Sequence, residues 1–572
     1  MTTSEPAVTS RDGAVDEAAV PHDCGRSRLR GRAERTFTSA IRRPDLITLV
    51  VAGAVVVGAL LRMLGSAWGL PLFLHPDEGV IVNGALDMAK RNSFEPAVYF
   101  RPDHLEIKLN YIVFTAYAHL FHHAPADVVA QESLGTFYLI ARMVTALFGV
   151  GMIVLAYLIG RHVNRAVGAM SAVVIALFPI YVEDSHYVTP DVPLSFAFMV
   201  IMLGCMNYLR RPGWGSLLVS AAAVSASVAI KYPGALASVM IAVVVTIAAA
   251  RSGDWVRFVK HAAGSVLAVV GFLFVISPSL FTNQAAVVEA ISKEARTTHL
   301  GADGLGWGGN LAFYGEALVS RGGWILVACF FLGAFWSVRR KMLLTVPLWL
   351  GAVFWVVLSK LPLHWERWGL PMYLSALLIA PIGAYFTWDW IRRTSRSSSW
   401  AKPVAWVVSV IVVLNLLLGS IATMARFLVP DTLNSGRVGL EELGVTAENS
   451  VFEGYTPFRP GAPRVVFGLV DVSTERIAPV GEAAGAEYLV LSGCMGDRYE
   501  AEPDRYPGEV AFYEAVGQRL DEVVHYPRVA PVDLDGIEAI NIYRSVEKIQ
   551  EFRSGGMTGC EIRVFRFADE DS

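Results

Sequence analysis

The sequence predicts a polytopic α-helical membrane protein with about eleven transmembrane helices and a C-terminal α/β domain. Of its 572 residues, 54% are hydrophobic and only 17% are charged, a composition that disfavours a water-soluble protein. Apolar stretches recur along the first three quarters, and Lys and Arg cluster in alternate connections between them. From residue 428 the sequence becomes charged and punctuated by Pro and Gly, which indicates a folded domain outside the bilayer.

A spanning helix needs about 20 mostly apolar residues, because lipid cannot satisfy free backbone groups. The predicted spans are 46–66, 137–160, 165–182, 191–209, 215–231, 234–250, 261–280, 322–338, 343–359, 367–390 and 403–427. The basic clusters are Arg26 to Arg43, Arg161 with Arg165, Arg210 with Arg211, Arg251 to Lys260, Arg339 to Lys341 and Arg392 to Lys402. The positive-inside rule places these clusters in the cytoplasm.

A further apolar stretch, 107–122, would invert the orientation of every later span if it crossed the bilayer. Its polar Lys108 and Asn110 and its histidines favour an interfacial or re-entrant helix instead. The extracytoplasmic parts are then loop 67–136, the turn 183–191, the turn at Lys231, loop 281–320, turn 360–366 and everything after 428. We therefore expect a multi-pass plasma (inner) membrane protein with a cytoplasmic N-terminus.

Three regions follow from this division of the chain. Residues 1–43 read as a disordered cytoplasmic tail, 44–427 as the transmembrane domain, and 428–572 as a soluble extracytoplasmic α/β domain. In the last region we predict strands at 464–470, 487–492 and 538–543 and an amphipathic helix at 510–524. Cys494 and Cys560 share this region, and the sequence leaves open whether they form a disulfide.

The charge and the cysteines exclude two classes of partner. The net charge is −3, so no overall basic field favours nucleic acid. The five cysteines show no spacing typical of a structural zinc site.

Acidic residues stand at two helix starts on the predicted outer face. Asp77 and Glu78 follow Pro76, and Asp191 follows Thr189 and Pro190. Ordinary helix capping explains both patterns, since acids near a helix N-terminus interact favourably with its dipole. Because the predicted topology gathers these acids with Glu183, Asp184 and His186, a general base or a hard-metal site is the functional alternative.

Cations stand at the outer ends of later spans, at Lys231, His364 and Arg367. They are explained either by snorkelling at the headgroup boundary or by a clamp for an anionic lipid phosphate. Arg101, His104 and Lys108 are further candidates, for which we favour a solvated surface position.

At four motifs the sequence resembles the glycosyltransferase C superfamily, specifically its protein O-mannosyltransferase and aminoarabinose transferase-like branch (family 39-like). The motifs are HPDEG at 75–79, HYVTPDVP at 186–193, KYPG at 231–234 and LPLHWERWGLP at 361–371. The resemblance implies the GT-C fold and a polyprenyl-phosphate-linked sugar donor.

The resemblance also implies roles for individual residues. Asp77, assisted by Glu78, would be the catalytic base near the acceptor, and Asp191 would shape the acceptor site with His186 and Glu183. In some relatives such acids bind a divalent metal, here Asp77 and Asp191. Lys231 and Arg367, with His364 and Lys108, would bind the donor phosphate.

The expected function is therefore transfer of a sugar from a polyprenyl-phosphate donor to a lipid, cell-wall glycan or protein acceptor on the extracytoplasmic face, by inverting displacement. Two alternatives remain open at this level. One is a lipid or polysaccharide transporter or flippase without transferase activity. The other is an oligosaccharide or polymer-extending transferase on the same scaffold, which differs only in its donor.

Overall fold

The structure is a computed structural model, and it describes residues 45–72, 75–394, 400–457, 461–463, 466–473, 476–529 and 541–567. The predicted tail 1–43 lies outside the described residues. Apart from the helix that begins at Leu46, the description below concerns Val50–Ser572.

Helices account for most of the described chain up to residue 442. They are α1 Leu46–Met63, α2 Glu78–Arg91, α3 His104–Tyr117, α4 Ala126–Gly160, α5 Arg165–Ala176, α6 Pro179–Asp184, α7 Asp191–Arg210, α8 Trp214–Ile230, α9 Ser238–Ser252, α10 Trp255–Ile276, α11 Ser279–Thr282, α12 Gln284–Glu294, α13 Gly306–Gly322, α14 Trp324–Arg339, α15 Leu350–Leu358, α16 Leu370–Thr394, α17 Ala401–Ala425 and α18 Thr432–Glu442. Short 3₁₀ turns at Tyr232–Ala237, Leu343–Trp349 and Glu366–Gly369 lead into α9, α15 and α16.

The apolar helices coincide with the predicted spans. Among the described residues, seven helices are long and apolar enough to cross a membrane, and α13 with α14, bent by 112°, would form an eighth span. Three shorter apolar helices, 165–176, 214–230 and 343–358, fall on the remaining predicted spans. The chain is a multi-pass helical membrane protein, as its hydropathy predicts.

The stretch 107–122 forms most of α3 and the π-helical turn Ala118–His122 that continues it. Together with α2 and the start of α4, α3 builds a small apolar core of its own, around Ile81, Phe114 and Phe137. A kink at Ser133 (φ −147°, ψ 56°) divides α4, so that the predicted span 137–160 begins after the bend. The first loop is thus a packed helical layer, and this layer carries Asp77.

The C-terminal region contains strands, as predicted. A four-stranded sheet has the order β1 (Ser450–Phe452), β4 (Tyr488–Ser492), β6 (Ile562–Arg566) and β5 (Asp521–Tyr526), while β2 (Val470–Val472) and β3 (Ile477–Pro479) form a separate hairpin. The region's helices are α19 Gly493–Glu500, α20 Pro507–Arg519 and α21 Ile542–Arg553, with a 3₁₀ turn at Gly481–Ala483. Cys494 and Cys560 form a disulfide.

Three of the local predictions for this region need correction. Of the predicted strand 464–470, Arg464 and Val465 lie outside the described residues, and only Val470 belongs to a strand. The predicted strand 538–543 is wrong where it is described, because α21 begins at Ile542 and packs on α17. The predicted helix 510–524 ends at Arg519, and its last residues form β5.

Candidate active site

Asp77 lies at the N-cap of α2, yet its side chain makes no capping hydrogen bond. Its carboxylate instead faces two arginines from distant parts of the chain. Arg101 Nη1 lies 3.6 Å from Asp77 Oδ1, and the Arg367 guanidinium forms a closer ion pair with Asp77 Oδ2. Helix capping therefore does not explain Asp77, and the pairing joins the first loop to the 3₁₀ turn before α16.

Arg101 also binds Asp103, with 2.8 Å between Arg101 Nε and Asp103 Oδ2. Asp103 is fully buried and adopts the left-handed conformation (φ 51°) at the start of α3, which is uncommon for a residue other than glycine. Its backbone N–H donates to the carbonyl of Ile230 at 3.2 Å. This contact holds the first loop against the end of α8, one residue before Lys231.

Asp191, the first residue of α7, pairs with Lys231 at 2.9 Å between Oδ1 and Nζ. The Lys231 ammonium lies 5.0 Å from the centre of the Trp368 ring. Capping by Thr189 is not observed, because its buried hydroxyl has no hydrogen-bond partner among the described residues. Lys231 is thus held between an acid and the aromatic face of the turn that carries Arg367.

The structure therefore brings Asp77, Asp191, Lys231 and Arg367 to one end of the helical bundle. The side chains of Asp77 and Arg367 are 24% and 25% exposed, whereas those of Lys231 and Asp191 are 14% and 3% exposed. The group consequently opens to its surroundings at the Asp77–Arg367 pair. A substrate that enters would meet a carboxylate and a guanidinium side by side.

Burial opposes ionisation of the Asp77 carboxyl, but Arg367 and Arg101 outweigh it, so the pKa of Asp77 lies below its ordinary value. His75 Nδ1 accepts the backbone N–H of Asp77 at 3.3 Å, and burial, reinforced by Arg367, lowers the pKa of His75 to about 4. Asp77 is thus ionised and His75 is neutral near pH 7.

A buried acid lies behind this group. Glu106 is 4% exposed, and neither of its carboxylate oxygens has a hydrogen-bond partner among the described residues. Burial, and then the neighbouring charge of Asp103, raises the pKa of Glu106 well above its ordinary value, and burial raises the pKa of Asp103 to about 6. Asp77, Asp103 and Asp191 balance the three cations, which leaves Glu106 as the uncompensated acid and favours its neutral form.

Glu78, the predicted assistant of Asp77, lies elsewhere. It forms a bidentate ion pair with Arg142 at 2.8 and 2.7 Å, and both side chains are completely buried. Arg142 also donates to the carbonyls of Ser66 and Trp68, and Glu78 accepts the backbone N–H of Val188. This geometry gives Glu78 a structural role and does not place it where a substrate enters.

Glu183 and His186, predicted to shape the acceptor site, also have other partners. Glu183 pairs with Arg426 at 2.6 Å and with Arg321 at 3.4 Å. His186 is buried, stacks on Phe427 at 4.1 Å between ring centres, and hydrogen-bonds the carbonyls of Val182 and Leu64. His186 therefore packs the base of the turn and does not line the opening.

Two predicted phosphate ligands are likewise occupied. His364 packs against Phe313, with 4.6 Å between ring centres. Lys108 donates to Glu95 at 2.8 Å and to the carbonyl of Ile276 at 2.9 Å. The expectation that Lys108, His104 and Arg101 are solvated is wrong, because their side chains are buried or nearly so in the first-loop layer.

The residues named for a metal do not fit one well. Asp77 and Asp191 are neutralised by arginine and lysine side chains, and no group of three or more His, Cys, Asp or Glu among the described residues could hold a metal ion. We therefore derive no step through a metal.

Sequence reasoning passed over Asp103, Glu106 and Trp368. Asp103, Glu106 and Asn110 recur at helical spacing along α3, and such a polar stripe on an otherwise apolar helix is a signal of burial beside other polar groups. Trp368 carried no signal beyond its position next to Arg367.

These features define a multi-pass membrane protein with an acid–cation site where its helices converge. Residues 122–288 match the family model of dolichyl-phosphate-mannose-protein mannosyltransferases, which confirms the resemblance found in the motifs. No curated protein matches the sequence significantly.

Several solved structures are distantly similar. ArnT from Cupriavidus metallidurans bound to undecaprenyl phosphate is 16% identical over 69% of this chain and 72% of its own, with a TM-score of 0.43. Its apo state is 15% identical over 93% and 98%, with a TM-score of 0.47. AglB from Archaeoglobus fulgidus, an archaeal oligosaccharyltransferase in complex with an inhibitory peptide and a dolichol-phosphate, is 11% identical over 84% and 73%, with a TM-score of 0.48.

Proposed function

We propose that this protein is a membrane glycosyltransferase that transfers a sugar from a polyprenyl-phosphate donor to a hydroxyl or amine of a lipid, glycan or protein acceptor. The observation that carries the proposal is the Asp77–Arg367 pair, the most open part of a buried acid–cation group. Similarity of residues 122–288 to a family of sugar transferases supports the same reaction class.

The donor phosphate would bind the cationic half of the site. Arg367 offers a guanidinium that can hold phosphate oxygens bidentately, and Lys231 adds a second positive charge. As the bond from the anomeric carbon to the phosphate oxygen breaks, its electron pair leaves with the polyprenyl monophosphate. Cations that stabilise this developing charge remove the need for a general acid.

Asp77 would accept the proton of the attacking acceptor group while the new bond to the anomeric carbon forms. A single displacement from the face opposite the phosphate inverts the anomeric configuration. Because Arg367 pairs with Asp77 in the structure, the donor phosphate must compete with Asp77 for it. Donor binding therefore weakens the interaction that depresses the pKa of Asp77 and makes it a stronger base only when a donor is present.

The reaction would take place on the extracytoplasmic face of the plasma membrane, with the N-terminus in the cytoplasm. The basic clusters between alternate spans favour this orientation. The Cys494–Cys560 disulfide suits a C-terminal region outside the cytoplasm, where thiols are oxidised.

The test is an assay of the purified protein with a panel of radiolabelled polyprenyl-phosphate sugars and cell-envelope extract. Asp77→Asn should lower label transfer by about 10²–10⁴-fold, the usual contribution of a general base. Asp87→Asn is the matched control, because Asp87 lies on the same helix in an exposed ion pair with Arg91. Absence of transfer and of donor hydrolysis across the panel, by folded protein that binds the lipid, would overturn the proposal in favour of a transporter.

A further inference from the structure

A chain of ion pairs runs beside the candidate active site. Arg426 binds Glu183 at 2.6 Å, Glu183 lies 3.4 Å from Arg321, and Arg321 holds Glu366 through two hydrogen bonds of 2.8 and 2.9 Å. These residues come from the end of α17, from α6, from the last turn of α13 and from the turn Glu366–Gly369. The chain therefore connects four separate elements at one end of the bundle.

The side chains are partly shielded from water, which strengthens the pairing relative to ordinary surface ion pairs. The exposed fraction is 13% for Arg321, 16% for Glu183 and 24% for Glu366. The planar fork of Arg321 meets both oxygens of Glu366, a geometry that fixes orientation as well as distance. Two acids and two arginines balance, so no charge in the chain is left uncompensated.

Glu366 is the first residue of the 3₁₀ turn that supplies two parts of the site. Its neighbour Arg367 pairs with Asp77, and Trp368 lies over Lys231. The turn is short, and the contact between Trp365 and Trp368, at 4.6 Å between ring centres, is one of its few other constraints. Consecutive side chains of one turn thus meet the ion-pair chain, the proposed base and the lysine.

Gly369 allows this turn to lie close to α16. A Cβ atom added there would lie 2.3 Å from the Tyr373 hydroxyl, so the backbone passes directly over that ring. The turn cannot move towards α16, and Arg321 opposes movement in the direction of Asp77. Its position therefore depends on the pairing of Glu366.

We propose that Arg321 is a positioning residue, which through Glu366 fixes the turn that presents Arg367 to Asp77 and Trp368 to Lys231. Glu183 and Arg426 anchor Arg321 from α6 and α17. The inference rests on the proposed transferase function, and it assigns Glu183 to this anchoring and not to the acceptor site.

The test compares Glu366→Gln with wild type in lipid nanodiscs. The glutamine keeps the size and one hydrogen bond but loses the charge. We expect kcat/KM for the donor to fall about 10–100-fold, since small misplacements of a binding group have effects of this size. Glu366→Asp, which keeps the charge, should recover part of the loss. Asp389→Asn, at the far end of α16 and paired with Arg393 at 2.8 Å, is the control expected to behave as wild type.

A purely structural role predicts a different pattern. If Arg367 is loosened from Asp77, the pKa of Asp77 rises, and the acidic limb of the pH profile of kcat/KM moves to higher pH. Mere loss of folded protein lowers the rate without moving that limb. An unshifted limb, or full activity of Glu366→Gln, would overturn the inference.

Hydrogen–deuterium exchange separates this inference from the proposed function. We expect faster exchange in the peptide 360–372 of Arg321→Lys and Glu366→Gln, and unchanged exchange there in Asp389→Asn. If wild type transfers no sugar, the proposed function fails, and the exchange result still decides the positioning role. Unchanged exchange in 360–372 would overturn it.

Discussion

Two acid–arginine pairs lie next to each other in sequence and differ in almost every physical respect. The Asp77–Arg367 pair is about a quarter exposed, and its arginine comes from the turn before α16. The Glu78–Arg142 pair is completely sealed, and further hydrogen bonds to Ser66, Trp68 and Val188 surround it. One pair is placed to exchange partners with a ligand, and the other joins α2, α4 and the first turn of the loop into one unit.

The difference teaches that burial, not residue type, separates chemistry from scaffold in this loop. A carboxylate with solvent access can change its partner at small cost. A sealed carboxylate that loses its partner leaves an uncompensated charge in a medium of low polarity. The following predictions test that contrast, from the largest effect to the smallest.

The sealed pair should control stability. Arg142→Met leaves the Glu78 carboxylate buried without its partner, and we expect a loss of about 3–5 kcal/mol. Thermal unfolding in nanodiscs measures this as a clear fall in Tm. Arg91→Met, which removes the partner of exposed Asp87, is the control and should change Tm little. Equal Tm values for the two variants would remove the distinction between the pairs.

The open pair should control turnover with little effect on stability. Arg367→Gln removes the guanidinium proposed to stabilise the leaving phosphate, and we expect kcat to fall about 10²–10³-fold. Arg367→Lys should recover part of this loss, because it keeps the charge but not the fork. Steady-state transfer assays beside Tm measurements check both statements, and the idea fails if Arg367→Gln loses stability in proportion to activity.

The smallest effect concerns the uncompensated acid behind the site. Because the pKa of folded Glu106 is raised, its protonated form favours the folded state, and stability declines as pH rises above the ordinary pKa of a glutamate. Glu106→Gln removes that decline and should add about 1 kcal/mol at alkaline pH, with no gain at low pH. Tm curves from pH 5 to 9 for wild type and variant measure this. Parallel curves would show that Glu106 is compensated.

The helical part of the fold was predictable because one physical requirement dominates it. Bilayer thickness fixes the length of an apolar helix, so α1, α7 and α17 can be located from hydropathy alone. The C-terminal region lacks such a requirement. Its run 538–543 alternates like a strand, yet α21 begins at Ile542 because contact with α17 decides the conformation of this short segment.

The site was predictable as a set of residues but not as a set of pairs. Residue type and topology select Asp77, Asp191, Lys231 and Arg367, because each stands at a helix start or a span end on one predicted face. Nothing local distinguishes Asp77 from Glu78, since the difference arises when Arg142 on α4 and Arg367 before α16 reach them. Long-range contacts of this kind leave no mark in the neighbouring sequence.

The most direct test of the account is the pH dependence of a single turnover from prebound donor, with wild type and Asp77→Asn compared after both are shown to bind the lipid phosphate. The account predicts that the wild-type rate rises with pH along one ionisation and that the variant, although loaded with donor, shows neither that rate nor that rise. A variant that transfers sugar at the wild-type rate with the same pH dependence would contradict it.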